Sequence, residues 1–269
     1  MRVLAINDIS CVGKCSLCVS LPIISACGVT CDVLPTALLS THTGGFEGYT
    51  FLDLSSQMDK ICAHWKTLGL SFDYVYSGYL GNPTQIDAVL QIKKQFLKKG
   101  GKLIVDPVMG DSGKLYDGFS DAFVQKMKTL CTQADYILPN ATEACVLTDT
   151  PYPTDGQTLI EKLKTLCPRP IVTGILEGND IAVYYTDETG EVKKYSSKNV
   201  EGFFCGAGDV FASAFVGTLA QGKTEERALR LAADFTSAAI RRSAKSVPDK
   251  RYGLDFEREI FTFLKNCND

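Results

Sequence analysis

The chain has 269 residues, 45% of them hydrophobic, and a formal net charge of −3. These values allow one large α/β domain or two smaller ones. The basic residues form no long run or stripe, which gives a nucleic-acid role no electrostatic support. No apolar stretch reaches the length of a membrane span, and the stretch near the first residue is too short for a signal peptide. We therefore expect a cytoplasmic protein that binds neither nucleic acid nor membrane.

The counts of cysteine and histidine bear on metal chemistry. The sequence holds 11 cysteines, which we expect to be free thiols, many of them packed as small hydrophobic residues. It holds two histidines, His42 and His64, which argues against a zinc enzyme built on histidine ligands.

Short apolar segments alternate with amphipathic ones through the first half of the chain. Their periodicity predicts strands over residues 3–6, 30–36, 74–77 and 102–105, and helices over residues 16–27, 53–68 and 84–99. We expect Gly100 and Gly101 to end the third of these helices. A polar loop is predicted over residues 40–48.

The second half of the chain continues this alternation. A polar, glycine-containing flap is predicted over residues 111–119. Strands are predicted over residues 136–138 and 170–173, and a hairpin joins residues 181–186 to 192–195. Helices are predicted to start near residue 140 and to cover residues 155–166, 210–220, 225–242 and 254–264.

Strands that alternate with helices form a mostly parallel sheet with helices on both faces. We find no linker, low-complexity tract or internal repeat, so one domain covering residues 1–269 is the simplest interpretation. Ligands of such sheets bind outside the carboxyl ends of the strands. We therefore expect the site to be lined by the loops that follow Ile6, Thr36, Ser77, Val105, Leu138 and Thr173.

A glycine-rich turn, Gly206-Ala207-Gly208-Asp209, leads directly into an apolar helix. Small residues allow successive N–H groups to converge on one point, where the helix N-terminus adds partial positive charge. An anion held there beside the Asp209 carboxylate has the surroundings that phosphoryl transfer to an alcohol needs. Because a helix N-terminus favours the ionised form, we expect a lowered pKa for Asp209 and a late proton transfer. The alternative is an ordinary helix start that Asp209 caps.

Asn140 and Glu143 begin another predicted helix, three residues apart and therefore on one face. Such a pair is usually a cap and a dipole partner. Facing an anion site, the same pair could hold water ligands of Mg²⁺, which keeps much of its hydration shell. Asp106, at the end of a predicted strand, could serve the same region.

Two further motifs point to other chemistry. Residues 217–224 match the P-loop pattern, but they start inside the helix that follows Asp209, so we interpret them as a junction between two helices. Cys11, Cys15 and Cys18 have a spacing similar to that of radical S-adenosylmethionine enzymes, and three thiolates could hold a [4Fe–4S] cluster. Buried free thiols are the simpler interpretation of these cysteines.

Several short motifs, taken in order, resemble the ribokinase-like superfamily of small-molecule kinases, and most closely its vitamin B6 (pyridoxal) kinases. They are Ile6-Asn7-Asp8, Ser40-Thr41-His42-Thr43-Gly44, Ser77-Gly78-Tyr79-Leu80-Gly81, Asp106-Pro107-Val108-Met109-Gly110, Asn140-Ala141-Thr142-Glu143 and Gly206-Ala207-Gly208-Asp209. The resemblance covers essentially the whole chain. It implies a three-layer αβα sandwich with a mostly parallel central sheet and a C-terminal antiparallel hairpin.

The same resemblance implies an activity and its residues. The activity is ATP-dependent phosphorylation of the 5′-hydroxymethyl group of pyridoxal, pyridoxine or pyridoxamine, with Mg²⁺, often assisted by K⁺, in a homodimer. Asp209 would be the base, and the anion hole would be formed by the backbone N–H groups of Gly206, Ala207 and Gly208. The pyridine pocket would be lined by Asp8, Thr43 and Tyr79. ATP would be bound by Asp106, Asn140, Glu143 and Thr173, and Mg²⁺ would be held, through water, by Glu143 and Asp106.

Two positions depart from the pattern of vitamin B6 kinases. Ala207 stands where the family often has threonine, although backbone donors do not need that side chain. Asp8 stands where many of these kinases have serine, and a carboxylate prefers a cationic or hydroxyl-bearing partner. Hydroxymethylpyrimidine kinases of thiamine metabolism share the fold and accept a similar heterocycle, so they are the first alternative. An iron–sulfur enzyme built on the three clustered cysteines and a non-catalytic binder of pyridoxal phosphate or nucleotide are more distant ones.

Overall fold

The computed structural model describes residues 1–268, in which strands and helices alternate. The strands are β1 (Arg2–Val12), β2 (Thr30–Thr41), β3 (Phe51–Asp53), β4 (Phe72–Ser77), β5 (Leu97–Val105), β6 (Gly110–Asp111), β7 (Lys114–Leu115), β8 (Tyr136–Ile137), β9 (Arg169–Glu177), β10 (Asp180–Thr186) and β11 (Val192–Lys198). The helices are α1 (Leu17–Ala26), α2 (Ser55–Thr67), α3 (Pro83–Phe96), α4 (Asp121–Cys131), α5 (Ala141–Leu147), α6 (Gly156–Leu163), α7 (Ala207–Ala220), α8 (Glu225–Ser246) and α9 (Ile260–Asn268), with a short 3₁₀ helix at Lys250–Tyr252. None of these described helices has the length and apolar character that a membrane crossing requires.

Nine of the described strands form one sheet, in the order β11-β10-β9-β8-β5-β4-β1-β2-β3, and β6 pairs with β7 in a separate hairpin. The strands from β9 across to β2 run parallel to one another. At one edge β10 and β11 add an antiparallel hairpin, and at the other edge β3 pairs antiparallel with β2. The predicted parallel sheet and its C-terminal hairpin are therefore confirmed.

The central strands are buried on both faces. Along β1, Val3 and Ala5 belong to one apolar core and Leu4 and Ile6 to the other, and all four are 0% exposed. The first core is covered by α1, α7, α8 and α9, and the second by α2 to α6. Burial of large apolar side chains contributes about 1.5–3 kcal/mol each, so two such layers hold the sheet rigidly. This arrangement confirms the three-layer αβα sandwich.

β1 is longer than the sequence predicts. It continues past Ile6 to Val12, and the expected loop after Ile6 does not form there. The sequence does not predict this part of the strand because Asn7, Asp8 and Ser10 are polar, and polar residues usually indicate a loop. In the fold these three side chains are buried. β2 likewise runs through residue 41, into the segment expected to be a polar loop.

Other boundaries also differ from the prediction. α3 ends at Phe96 and β5 begins at once, so the two glycines lie in an irregular stretch of a strand instead of ending a helix. α4 is absent from the prediction, although its buried side chains recur at helical spacing, namely Phe123, Val124, Met127 and Leu130. The last helix begins at Ile260 rather than at residue 254, because Leu254 and Phe256 enter the core from an extended segment.

Candidate active site

The residues predicted to form the site meet at the edge of the sheet where the parallel strands end. Tyr79 follows β4, Asp106 follows β5 and Asn140 follows β8. The turn that begins at Gly206 reaches the same edge, because Asn7 of β1 contacts Asp209. The fold therefore brings together segments that are far apart in sequence, as expected for a parallel sheet.

The turn at Gly206 requires glycine. Gly206 has a φ of 77°, in the left-handed region, and a Cβ atom there would lie 2.1 Å from the carbonyl oxygen of Lys14. Gly208 differs, since a Cβ atom built on it would meet nothing within 4 Å. The first glycine thus allows the loop before α1 to pack closely, and the second leaves open space in front of the helix.

The first turn of α7 has donors without acceptors. No side chain caps this helix, and Ala207 donates its N–H to the carbonyl of Phe204 at 3.4 Å. Among residues 1–268, the N–H groups of Gly208 and Asp209 have no hydrogen-bond acceptor. Such groups at a helix N-terminus form a site for an anion. The N–H of Gly206 likewise has no acceptor among the described residues, so the open donors are those of Gly206, Gly208 and Asp209, while the N–H of Ala207 is engaged.

Asp8 is placed in the site by an irregularity of β1. The pairing of β1 with β2 shifts register between Asn7 and Ile9, and such bulges re-aim side chains. The Asp8 carboxylate is 5% exposed and accepts hydrogen bonds from the hydroxyls of Ser16, at 2.5 Å, and Ser10, at 3.0 Å. Burial raises the pKa of Asp8, and the two hydroxyls partly offset this effect.

Asn7 joins three parts of the site, a role that was not predicted from the sequence. Its Nδ2 donates to Asp209 Oδ1 at 3.4 Å. Its Oδ1 accepts from the backbone N–H groups of Tyr79, at 2.8 Å, and Asp8, at 3.0 Å. A polar residue inside an otherwise apolar strand is the signal that could have identified it.

The ionisation of Asp209 differs from the expectation. Burial raises its pKa to about 6, and the nearby charge of Asp8 acts in the same direction. The N–H of Ser16 and the amide of Asn7 lower the pKa, but they do not reverse the effect of burial. The expected lowering of this pKa by the helix N-terminus is therefore wrong, because burial of the carboxylate outweighs it.

Glu143 and Asn140 form a complete capping box at the start of α5. Glu143 Oε2 accepts from the N–H of Asn140 at 2.9 Å, and its Oε1 accepts from the N–H of Met109 at 3.0 Å. Asn140 Nδ2 donates to the carbonyl of Gly110 at 2.8 Å. The pair therefore fixes the loop after β5 and the β6–β7 hairpin, which begins one residue before the predicted flap.

Asp106 completes a group of acidic side chains. It is 7% exposed, and burial together with the charges of Glu143 and Asp209 raises its pKa well above the ordinary range. Burial raises the pKa of Glu143 as well. Within residues 1–268 no three His, Cys, Asp or Glu side chains are grouped to hold a metal ion directly. This donor set fits a hydrated Mg²⁺ carried by phosphates better than a dedicated metal cage.

The remaining predicted residues lie around this centre. Tyr79 has its ring 6.0 Å from that of Phe119, at the end of the predicted flap. Thr173 donates its N–H to the carbonyl of Pro139 at 3.0 Å, which places it beside Asn140. Thr43 is exposed and follows buried His42.

His42 is a second residue whose role the sequence analysis missed. It is 7% exposed, its Nε2 lies 2.6 Å from the carbonyl oxygen of Arg251, and its Nδ1 accepts the N–H of Gly44 at 3.1 Å. These contacts require the proton on Nε2. His42 therefore anchors the loop of Thr43 to the 3₁₀ helix near the chain's C-terminal end.

The two motifs of other chemistry have structural explanations. Residues 217–224 span the end of α7, a turn at Gly222 and the cap of α8 by Thr224, so the predicted helix junction is confirmed. Cys18 Sγ donates to the carbonyl of Ser10 at 3.2 Å, but Cys11 and Cys18 are exposed and Cys15 is half-buried, so the interpretation of these cysteines as buried thiols is wrong. In the described residues the three cysteines form no metal-binding group, which gives the iron–sulfur alternative no support.

Comparisons with known proteins agree with this geometry. Residues 21–252 match the profile of the phosphomethylpyrimidine kinase family. A Caenorhabditis elegans protein provisionally named a pyridoxal kinase is 26% identical over 212 residues, covering 70% of this chain. The match spans 65% of that protein, slightly less than two thirds of its length.

Two solved structures are similar over nearly the whole chain. A Bacteroides thetaiotaomicron protein, provisionally named a phosphomethylpyrimidine kinase and crystallised with pyridoxal, is 36% identical with a TM-score of 0.91, covering 100% of this chain and 96% of that one. The pyridoxal kinase of Lactobacillus plantarum is 32% identical with a TM-score of 0.91, covering 98% and 96%. The chain therefore belongs to the phosphomethylpyrimidine kinase family, which has the ribokinase-like fold.

Proposed function

We propose that the chain is an ATP-dependent kinase that phosphorylates the 5′-hydroxymethyl group of pyridoxal, pyridoxine or pyridoxamine. The observation that carries this proposal is the start of α7, where free backbone N–H groups lie beside a carboxylate with a raised pKa. The similarity to a Lactobacillus plantarum pyridoxal kinase and to a structure holding pyridoxal supports this choice of substrate.

The reaction transfers one phosphoryl group to the alcohol. The hydroxymethyl oxygen attacks the γ-phosphorus, the bond from that phosphorus to the β–γ bridging oxygen breaks, and ADP leaves. Asp209, ionised above a pKa of about 6, accepts the hydroxyl proton. The open N–H groups of Gly206, Gly208 and Asp209 donate to phosphoryl oxygens where negative charge accumulates, and Ala207 belongs to the turn that presents them.

The acidic group on the α5 side would serve the nucleotide. Asp106 and Glu143 would reach Mg²⁺ through its water ligands, and the ion supplies neutralisation of phosphate charge when bound. Asn140, which follows β8, pairs with Thr173, and both would contact the phosphates. Thr173 lies within β9, which continues to Glu177 instead of ending at Thr173 as expected. The resemblance to vitamin B6 kinases also implies that K⁺ binds as a second cation and assists the reaction.

Asp8, Thr43 and Tyr79 would bind the heterocycle. Tyr79 supplies an aromatic ring next to Phe119, and Asp8 supplies a buried carboxylate that a hydroxyl or cationic group of the ligand can meet. The second candidate substrate is hydroxymethylpyrimidine, because the matching family is described as phosphomethylpyrimidine kinase. Its hydroxymethyl group would reach Asp209 in the same way.

A homodimer and a cytoplasmic location also belong to the proposal. Leu38 of β2 and Leu52 of β3 pair across the sheet edge and are 39% and 56% exposed, which suits a protein contact. All 11 cysteines are free, as expected in a reducing compartment.

Competition between substrates tests the proposed activity. Pyridoxal and hydroxymethylpyrimidine are offered together at equal concentration with Mg-ATP, and the two phosphorylated products are separated and quantified. We expect the pyridoxal phosphate product to dominate. If phosphorylated pyrimidine dominates instead, the enzyme is a hydroxymethylpyrimidine kinase of thiamine metabolism. If neither product forms, the kinase proposal is rejected.

A further inference from the structure

Ser16, which immediately precedes α1, has an unusual backbone conformation. Its φ of 57° and ψ of −131° lie where a side chain is unfavourable and glycine is preferred. Residues held in such conformations cluster at active sites, where surrounding contacts fix them. The residue is also 7% exposed, so those contacts come from the protein itself.

Three groups of Ser16 make such contacts. Its hydroxyl donates to Asp8 Oδ1 at 2.5 Å. Its backbone N–H faces the Asp209 carboxylate closely enough to lower the pKa of that group. Its carbonyl accepts from Ser20 Oγ at 3.0 Å, and Ser20 Oγ accepts from Ser213 of α7 at 3.2 Å. Ser16 is thus bonded to Ser20 of α1 and, through Ser20, to α7, the helix that carries Asp209.

We propose that Ser16 is a positioning residue that bridges two carboxylates, with its hydroxyl on Asp8 and its N–H toward Asp209. The inference rests on the proposed function, in which Asp209 is the base. Because both contacts belong to one residue, they fix how the two carboxylates stand relative to each other. The unfavourable backbone conformation is what directs the N–H and the hydroxyl to the two groups at once.

Other ionisable groups face this pair and must be considered in any pH dependence. Those that face Asp209, besides Asp8, are Cys15, Cys18, Tyr76, Asp106 and Tyr116. Those that face Asp8 also include His42 and Tyr79. Burial raises the pKa of these thiols and phenols, which therefore stay neutral in acid and at neutral pH. The groups that remain relevant to the pH dependence of activity are Asp106, His42 and the two bridged carboxylates, Asp8 and Asp209.

The variant Ser16→Gly separates the bridge from the stability of the fold. Glycine adopts the left-handed backbone without strain, and this gain offsets the lost hydroxyl bond to Asp8, so we expect a Tm close to that of the parent. Loss of the hydroxyl removes a donor that stabilises ionised Asp8, so the pKa of Asp8 rises. Asp8 then repels Asp209 less, the pKa of Asp209 falls, and the acidic limb of the kcat profile moves to lower pH. Glycine keeps the N–H that faces Asp209 but loses the hydroxyl bond that fixes residue 16 on Asp8, so we expect the plateau kcat to fall about tenfold.

The test measures Tm, and kcat and KM for pyridoxal against pH, for the parent, Ser16→Gly and Ser16→Ala. Ser25→Ala, at an exposed position of α1, is the matched control and should behave as the parent. A parent-like kcat in Ser16→Gly overturns the inference. A reduced kcat with an unshifted acidic limb also overturns it, because that result indicates a purely structural role.

A second readout keeps this inference separate from the proposed function. The Asp209 carboxyl is titrated by carbon-13 NMR in labelled protein and identified by its loss in Asp209→Asn. We expect its titration in Ser16→Gly to move to lower pH than in the parent, and an unchanged titration rejects the bridge. If the parent phosphorylates no substrate, the proposed function fails, while this titration still decides the role of Ser16.

Discussion

Helix α7 has a glycine-rich segment at each end, and the two segments differ in what their backbone N–H groups contact. At the start, the helix has no side-chain cap, and the N–H groups of Gly208 and Asp209 are free of acceptors in the described structure. At the end, Gly222 turns the chain and Thr224 caps α8 by accepting the N–H of Arg227 at 3.3 Å. The first segment therefore has open donors for the proposed anion, whereas in the second the N–H groups of Gln221, Gly222 and Lys223 already donate to carbonyls of α7.

Under the proposed function, position in the fold, rather than the letters of a motif, decides which segment binds phosphate. The second segment matches the P-loop pattern fully but follows a helix instead of a strand. The first matches no such long pattern, yet it lies at the carboxyl edge of the sheet beside the carboxylates of Asp8 and Asp106. Variants at the start of α7 should therefore lower kinase activity strongly, and variants at its end should leave the activity nearly unchanged.

The largest effect is expected for Asp209→Asn. Asparagine keeps the size of the side chain but cannot accept the hydroxyl proton, so kcat should fall about 100-fold or more. Nucleotide affinity should be largely kept, because the backbone donors remain. ADP release with pyridoxal gives kcat, and equilibrium titration gives the affinity for nucleotide. A kcat close to that of the parent would contradict the assignment of the base.

Gly208→Ala tests the anion site without disturbing the fold. The new Cβ meets no protein atom within 4 Å, so Tm should stay the same or rise. The methyl group would, however, occupy the space in which we propose that the phosphoryl group binds. We expect kcat/KM to fall about 10- to 100-fold. Gly206→Ala is the contrasting variant, because its Cβ would meet Lys14 O at 2.1 Å and both Tm and activity should fall. Unchanged kcat/KM in Gly208→Ala would remove the anion hole from this position.

Glu143→Gln tests the metal role of the α5 side. One carboxylate oxygen becomes an NH₂ group that faces a backbone N–H donor, so stability should fall by about 1–3 kcal/mol. The Mg²⁺ concentration needed for half-maximal activity should rise about tenfold, because the group that orients the hydrated ion is altered. Glu226→Gln, in the first turn of α8, is the control. A Mg²⁺ titration that overlays that of the parent shows that Glu143 has a structural role alone.

The raised pKa of Asp209 sets the pH dependence. The base must be ionised, so kcat/KM should rise with pH through a limb near pH 6 and then reach a plateau. Asp8→Asn removes a negative charge that raises this pKa, so the limb should move to lower pH. Steady-state rates of the two proteins across acidic and neutral pH measure the shift. A limb that stays in place, or moves upward, shows that Asp8 does not act on Asp209 through its charge.

The smallest effect is expected at the other end of α7. Lys223→Ala lies in the P-loop-like segment, where the structure places a helix junction. Turnover should be nearly unchanged, and stability should shift by about 0.5 kcal/mol or less, as is usual for surface changes. Assays at limiting ATP make this test sensitive to any loss of phosphate binding.

The sequence predicts the layers of this fold well, because the alternation of apolar strands and helices depends on local periodicity. It predicts boundaries less well where polar residues are buried for the site. The extension of β1 to Val12 is an example, since Asn7 and Asp8 read as the end of a strand when their partners are unknown. The irregular β5, in which two glycines continue a strand, depends on pairing with β4 that no local pattern shows.

The site is predictable in its motifs but not in its electrostatics. The motifs locate Asp209, Glu143 and Asn140, yet the pKa of Asp209 depends on burial and on Asp8, which is about 200 residues away in sequence. Burial by distant segments outweighs the local effect of the helix N-terminus, which is all that the sequence reveals. The contacts of Asn7, Ser16 and His42 are missed for the same reason, because each joins loops that only folding brings together.

The most direct test of this account compares the two ends of α7 in one experiment. ADP release from Mg-ATP with pyridoxal is measured for the parent, Gly208→Ala and Lys223→Ala, with Tm recorded for each. We expect the parent and Lys223→Ala to turn over at similar rates, and Gly208→Ala to lose most activity while its Tm is kept. Loss of activity in Lys223→Ala together with normal turnover in Gly208→Ala would contradict the account and place the phosphate site at the opposite end of the helix.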